Sequence, residues 1–414
     1  MPKQNILSSK TTRSALSTDN IEEEIERLMG RHKFADAIHF LDAARKANRF
    51  EVDDDFFHHN MSQIYFFSGK HLDALKNIES ALQNRSTDKN KILLSRILCH
   101  LKRYKETIEI FESLFKENDS DLGLLHSGCI AHYKTGNVKK ATEIGRRRFE
   151  IYDSVPANGP EVSTMIDGPK EGRKIISYSL WGPNPVFAVG GIINCILVRR
   201  LLPGWTPRFY VDGSVGQTYL TKIRQHGGEI VLADEEKKWI PPLFWRFLIA
   251  DDEAVSAYLC RDCDSRPSVK EASAVLEWEA SGHPFHVIRD HVFHCEPVLG
   301  GLWGGHTSVK LNMEGRIRAF LDQNDSYRLY GNDQRFLREK VWPDIKLATL
   351  AHDTFYKFYN SKKPPNYFPW SEEDHSGRCY KNMKDIVEEA KFYNLGLQLR
   401  HTQKVQAVTA KPTA

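Results

Sequence analysis

The chain has 414 residues, is 41% hydrophobic and 27% charged, and carries 58 basic against 54 acidic side chains for a net charge of +4. That length suits two or three domains, and so mild a charge balance excludes a strong argument for nucleic acid or an acidic membrane as the main partner. No window holds the ~20 apolar residues that a bilayer span needs, Met1 to Asn20 is polar without an apolar signal core, and seven irregularly spaced cysteines suit a reducing compartment. The expectation is a cytoplasmic protein, peripheral at a membrane at most, with no transmembrane segment and no nucleic-acid partner.

Residues 1–20 are expected to be disordered. From 21 to 153 the sequence repeats. Tyr65, Gly69, Ala74, Ile78 and Ala81 form a pattern that returns around Tyr104, Thr107 and Phe111, and again from Gly136 to Ala141. The aligned small residues Ala37, Ala74, Thr107 and Ala141 are separated by 37, 33 and 34 positions. This resembles a short tetratricopeptide array, whose period is about 34 residues. Each unit is then an antiparallel helix pair stacked on the next. Lys102 replaces the turn glycine of the third unit, and Gly145 stands where a bulky residue is usual. Such a domain binds a protein partner or acceptor, dimerises, or serves as a scaffold.

Residues 154–173 read as a linker, and 174–400 as a second domain. Lys174 to Leu180, Pro207 to Val211 and Glu229 to Leu232 read as strands, with helices over Phe187 to Leu202 and near Gln217 to His226. Strands alternating with helices predict a mainly parallel sheet covered on both faces, and such sheets bind ligands at the carboxyl ends of their strands. The apolar run beginning at Val255 ends in Asp262-Cys263-Asp264 between Arg261 and Arg266. In an extended chain positions i and i+2 share a side, so the two carboxylates leave the strand together. Like charges so placed call for a cation, and Mg²⁺ or Mn²⁺ shared with phosphate oxygens meets that need. Arg261 and Arg266 are candidates to meet the phosphate. Neither Gly-x-Gly-x-x-Gly nor a Walker loop is present.

Residues 174–375 resemble the nucleotide-sugar glycosyltransferases of the GT-A fold, an α/β, Rossmann-like architecture. Asp262-Cys263-Asp264 looks like the metal-binding Asp-x-Asp. Gly300 to Gly305 looks like the glycine-rich loop on the acceptor side, which implies acceptor binding by Trp303, Gly304 and Gly305. Asn332-Asp333-Gln334 is similar to the acidic motif that carries the catalytic base, although Asn332 stands where a Glu is usual. The resemblance implies that His352 completes the metal shell of Asp262 and Asp264, with Mn²⁺ or Mg²⁺ as cofactor. It implies transfer of a hexose from a nucleoside-diphosphate sugar, a UDP-sugar first, to a glycan, lipid-linked glycan or protein hydroxyl, as in polysaccharide biosynthesis. Asp333 is the first candidate base and Asp290 the second. Ser179, Trp181, Gly182 and Asp212 are placed to meet the nucleoside.

Other readings compete. Cys260, Cys263, His283, His286, His291, His294 and Cys295 could hold zinc, but Cys260 and Cys263 diverge on a strand. A sugar nucleotidyltransferase would show a glycine-rich basic loop after the first strand, where Trp181-Gly182-Pro183 stands. A tetratricopeptide scaffold with a degenerate nucleotide-binding domain is the non-enzymatic alternative. Pro364 to Cys379 reads as a lid over the donor, with His375 in reserve for the metal. Residues 401–414 read as a disordered tail.

Overall fold

The computed structural model describes residues 17–47, 52–154, 165–166, 171–233, 237, 239–323, 331–359, 361–365, 375–380, 382–397 and 399. The expectations for residues 1–16 and the C-terminal tail, and much of those for the linker and the lid, fall outside these residues; residues 18–20, expected to be disordered, form the first turn of a helix that Ser17 caps. The chain divides into two compact units between Asn137 and Val138.

The first unit is helical. It contains α1 (Thr18–Gly30), α2 (Phe34–Ala47), α3 (Asp54–Phe67), α4 (His71–Asn84), α5 (Asp88–His100), α6 (Tyr104–Leu114) and α7 (Leu122–Lys134). One turn recurs: His32, Gly69, Lys102 and Gly136 all have positive φ. The N–H of the next residue donates each time to the carbonyl five back, as in Lys70 to Tyr65 and Arg103 to Leu98. This is the Schellman ending, which closes orphan helix carbonyls. Lys102 therefore adopts the left-handed conformation that glycine adopts in the second and fourth copies. Asp53, Thr87 and Asp121 cap α3, α5 and α7 through the N–H three residues on, as N-cap side chains do.

The second unit begins with α8 (Val138–Asp153). Phe149 stacks on Phe358 with centroids 4.0 Å apart, and Trp342 Nε1 donates to Asp153 at 2.6 Å. A Cβ at Gly145 would overlap the Tyr356 hydroxyl, which explains the missing bulky side chain. There follow β1 (Arg173–Leu180), α9 (Pro185–Leu201), β2 (Trp205–Val211), α10 (Gln217–Gln225), β3 (Glu229–Leu232), a 3-10 stretch (Pro242–Asp251), β4 (Val255–Arg261), α11 (Val269–Ser281), β5 (Phe285–Arg289) and β6 (Trp303–His306). Helices α12 (Met313–Asp322), α13 (Asn332–Phe336) and α14 (Trp342–Ile345) precede β7 (Thr349–Asp353) and α15 (Met383–Phe392).

The strands form one sheet in the order β3-β2-β1-β4-β6-β5-β7. Strand β6 runs antiparallel to β4 and β5, and the other pairings are parallel. One face packs Tyr258, Cys260 and Trp303 against Phe244, Phe247 and Phe336; the other packs Tyr178, Leu259 and Phe209 against Ile192, Val275 and Ile386. From β1 the chain moves outward through β2 and β3, then crosses back to β4 on the opposite side. The order thus reverses between β1 and β4, and the carboxyl ends of those strands frame the crevice where open α/β sheets take ligands.

Candidate active site at the strand ends

The crevice is organised by an arginine within an apolar stretch. In Leu243-Phe244-Trp245-Arg246-Phe247-Leu248, Arg246 is 4% exposed. Its peptide is pinned to β1: Ser179 Oγ accepts its N–H at 2.9 Å, and Ser177 Oγ donates to its carbonyl at 2.8 Å. Its guanidinium reaches three groups. Nε donates to the Gly300 carbonyl at 3.0 Å, Nη2 to Asp333 Oδ2 at 2.7 Å, and Nη1 lies 3.2 Å from Asp262 Oδ1. A buried guanidinium stays charged, and desolvating it is tolerable only when its donors are matched. Burial pushes the Asp333 carboxyl above its ordinary value against the opposing pull of Arg246. Arg246 itself is held upward: burial acts against it, but Asp262 and Asp333 outweigh that.

Two glycines close the site from above. A Cβ on Gly301 would overlap Asp262 Oδ2, and one on Gly300 would lie 2.5 Å from Arg246 Nη2 and 2.9 Å from Asp333 Oδ2. Asp262, with a side chain 42% exposed, opens the site to solvent, while Asp333 beneath it is buried. Asp264 is also buried, and its carbonyl accepts the Tyr380 N–H at 2.6 Å. On the β1 side, Gly182 has positive φ and its N–H donates to Ser214 Oγ at 2.6 Å. Ser214 N–H in turn donates to Asp212 at 3.0 Å, and Trp181 is partly exposed. Asn184 caps α9 at the Val186 N–H, with Pro185 at the first helical position.

Several expected site residues lie elsewhere. Arg261 is the last residue of β4, and its side chain turns away from the Arg246 cluster that Asp262 joins. It donates to Glu271 at 2.5 Å and to the Trp303 carbonyl at 3.1 Å, 4% exposed. Arg266 is bidentate on Glu389 of α15, at 3.1 and 2.8 Å. Both arginines are thus occupied by internal carboxylates. Trp303 is fully buried, edge-on to Tyr258 with centroids 5.5 Å apart, so it is core and offers no ring face to an acceptor. Gly304 and Gly305 lie inside β6, where a Cβ would overlap the Tyr258 carbonyl or lie 2.6 Å from Phe285. Their role is close strand packing.

Asp290 is fully buried and saturated as a base candidate. Lys270 Nζ donates at 3.2 Å, and the Ser376 N–H approaches both its oxygens at 3.1 and 3.0 Å. His375 lies tilted against His291, with ring centroids 4.4 Å apart. His352 is fully buried on β7, its Nδ1 2.8 Å from His286 and its Nε2 3.2 Å from Glu277. It therefore does not join Asp262 and Asp264. Among the described residues no group of three or more His, Cys, Asp and Glu side chains is disposed to hold a metal ion, which also removes the zinc arrangement. Among the same residues no helix is long and apolar enough to cross a membrane.

No family model matches the chain, and no curated protein matches it. Among solved structures it is similar to a mutant O-GlcNAc transferase of Thermobaculum terrenum, with a TM-score of 0.39 and 11% identity. The match covers 61% of this chain and 46% of that one, so this chain spans less than half of that protein.

Arg246 belongs to none of the motifs named from the sequence. Its signal in the sequence is a single cation within an otherwise apolar run, a placement that becomes informative when the run is buried and the cation needs carboxylates.

Proposed function

We propose that the second unit is a glycosyltransferase of GT-A type that takes a nucleoside-diphosphate sugar at the β1/β4 crevice. The observation that carries this reading is the Asp262–Arg246–Asp333 bridge, beneath Gly300 and Gly301, at the point where the strand order reverses. Asp262 and Asp264 would hold Mg²⁺ or Mn²⁺, with the shell completed by diphosphate oxygens and water, since such ions commonly take one or two protein carboxylates. When bound, the ion supplies positive charge to the leaving diphosphate.

Asp333 is the base of this reading, taking the proton of an acceptor hydroxyl if configuration inverts. A carboxylate whose affinity for protons is raised by burial suits that role. Arg246 holds Asp333 and Asp262 at a fixed separation. Gly182, Trp181 and Asp212 border the β1 side, where the nucleoside is placed. The acceptor is a glycan, lipid-linked glycan or protein hydroxyl, and the helical repeats serve a partner or the acceptor.

The test is a melting-temperature screen of purified protein against UDP, GDP, CDP and ADP, each with Mn²⁺ or with EDTA. A native-state ligand raises stability by mass action. A rise with one nucleotide, lost in EDTA and in Asp262→Ala, supports the donor site. No rise with any nucleotide overturns it.

A further inference from the structure

The opposite, amino edge of the same sheet carries a second concentration of chemistry. Helix α9 starts beside the carboxyl ends and finishes at Leu201, just before β2 begins. Its last turn holds Arg199 and Arg200, both exposed. They line an open, solvent-facing depression of about 460 Å³ with His226, Phe392, Tyr393 and Asn394. A neighbouring cavity of about 290 Å³ shares Arg199 and His226. Volumes of this order accept small molecules.

Among the described residues, Arg199, Arg200, Lys222 and Arg224 form no ion pair and no side-chain hydrogen bond. Glu389 acts on Tyr393, but Arg266 already holds it at both oxygens. The carbonyl end of α9 contributes roughly −0.5, against the two guanidinium groups of Arg199 and Arg200. That helix end therefore offsets only part of their charge. His226 is held below its usual value by burial first, then by Lys222 and Arg199, with no carboxylate acting the other way. Beside these cations Phe392 stands 80% exposed, an unusual state for a phenylalanine.

We infer that this edge is a phosphate-binding site, in which Arg199 and Arg200 grip a phosphate monoester or diphosphate and Phe392 carries the ligand's apolar or aromatic body. Guanidinium forks match phosphate oxygens bidentately, and two of them at one cavity exceed what a lone helix end requires. The residues that line it do not include Asp262, Arg246 or Asp333, and the site does not rest on the glycosyltransferase reading. A free phosphorylated metabolite and a phospholipid headgroup offer this same chemistry.

The experiment uses the full chain in EDTA with inorganic pyrophosphate as probe, read by melting temperature and by calorimetric titration. Wild type and Asp262→Ala should both rise, by about 2–4 °C at tenfold excess over Kd. The Arg199→Ala/Arg200→Ala protein, altered only at exposed positions, should melt unchanged without ligand and bind at least tenfold more weakly. An equal response of the double variant, or no response of the wild type, overturns the site. Loss of the response in Asp262→Ala also overturns it, because the probe then reports the carboxyl edge. Co-sedimentation with phosphatidylserine vesicles that depends on both arginines and is competed by pyrophosphate assigns the site to headgroups. Pyrophosphate binding without co-sedimentation assigns it to a free phosphorylated ligand.

Discussion

Arg246 and Asp333 meet at 2.7 Å in the interior, although 87 positions separate them in the chain. The 3-10 stretch supplies one and the start of α13 the other, and Asp262 reaches the same guanidinium from the end of β4. Removing the cation leaves a buried carboxylate uncompensated, which typically costs about 3–5 kcal/mol. Arg246→Met should therefore unfold at a markedly lower urea midpoint. A midpoint within experimental error of the wild type would show that the bridge carries no such load.

The glycines of Gly300 to Gly305 divide into two roles that one substitution each can separate. Gly301→Ala pushes against Asp262, whose half-exposed side chain can move aside, so nucleotide-dependent stabilisation should fall while the fold persists. Gly304→Ala pushes against the Tyr258 carbonyl, a backbone atom that cannot. Overpacking of that kind costs about 1–3 kcal/mol, and should appear as lost stability. Thermal melts of both proteins with and without nucleotide check the contrast.

Trp303 gives a similar test. As a fully buried ring against Tyr258 and Phe247, it should cost about 3–5 kcal/mol on Trp303→Ala. A variant of normal stability with weakened acceptor use would return it to the acceptor side.

Acid should destabilise the second unit through its buried histidines. Burial drives His294 down to about 3 and His306 to about 4, from 6.5. His286 and His352 are lowered for the same first reason. These groups stay neutral when folded, while the unfolded chain takes up protons as pH falls through 6.5. Their effect is nil well above pH 6.5 and grows as pH drops toward the folded values. At pH 5, His294 and His306 each cost about 2 kcal/mol. Urea midpoints should hold from pH 8 to 7 and fall steadily from 6.5 to 5; a flat profile would contradict this.

The repeat was legible because its turn imposes a backbone requirement: positions 32, 69, 102 and 136 all take positive φ, whether glycine, lysine or histidine occupies them. Ala37, Ala74, Thr107 and Ala141 are all fully buried, as their spacing implies. The alternation of strands and helices was equally legible, and β3 spans Glu229–Leu232 as read from sequence. What sequence could not supply was the partner of each polar group. Arg261 and Arg266 flank Asp262 in the chain, but they turn toward Glu271 of α11 and Glu389 of α15. Their place beside Asp262 is taken by Arg246, from 16 residues earlier. Likewise His352 follows Asp333 at the spacing of a motif, yet β7 pairs with β5 and delivers it to His286.

The most direct measurement is release of nucleoside diphosphate from a panel of UDP-, GDP- and CDP-sugars by wild type, Asp262→Ala and Asp333→Asn. The wild type should hydrolyse one donor slowly to water, Asp262→Ala should not, and Asp333→Asn should still bind that donor while turning over at least tenfold more slowly. Release that is unchanged in Asp262→Ala, or absent with every donor, would contradict a donor site at the β1/β4 crevice.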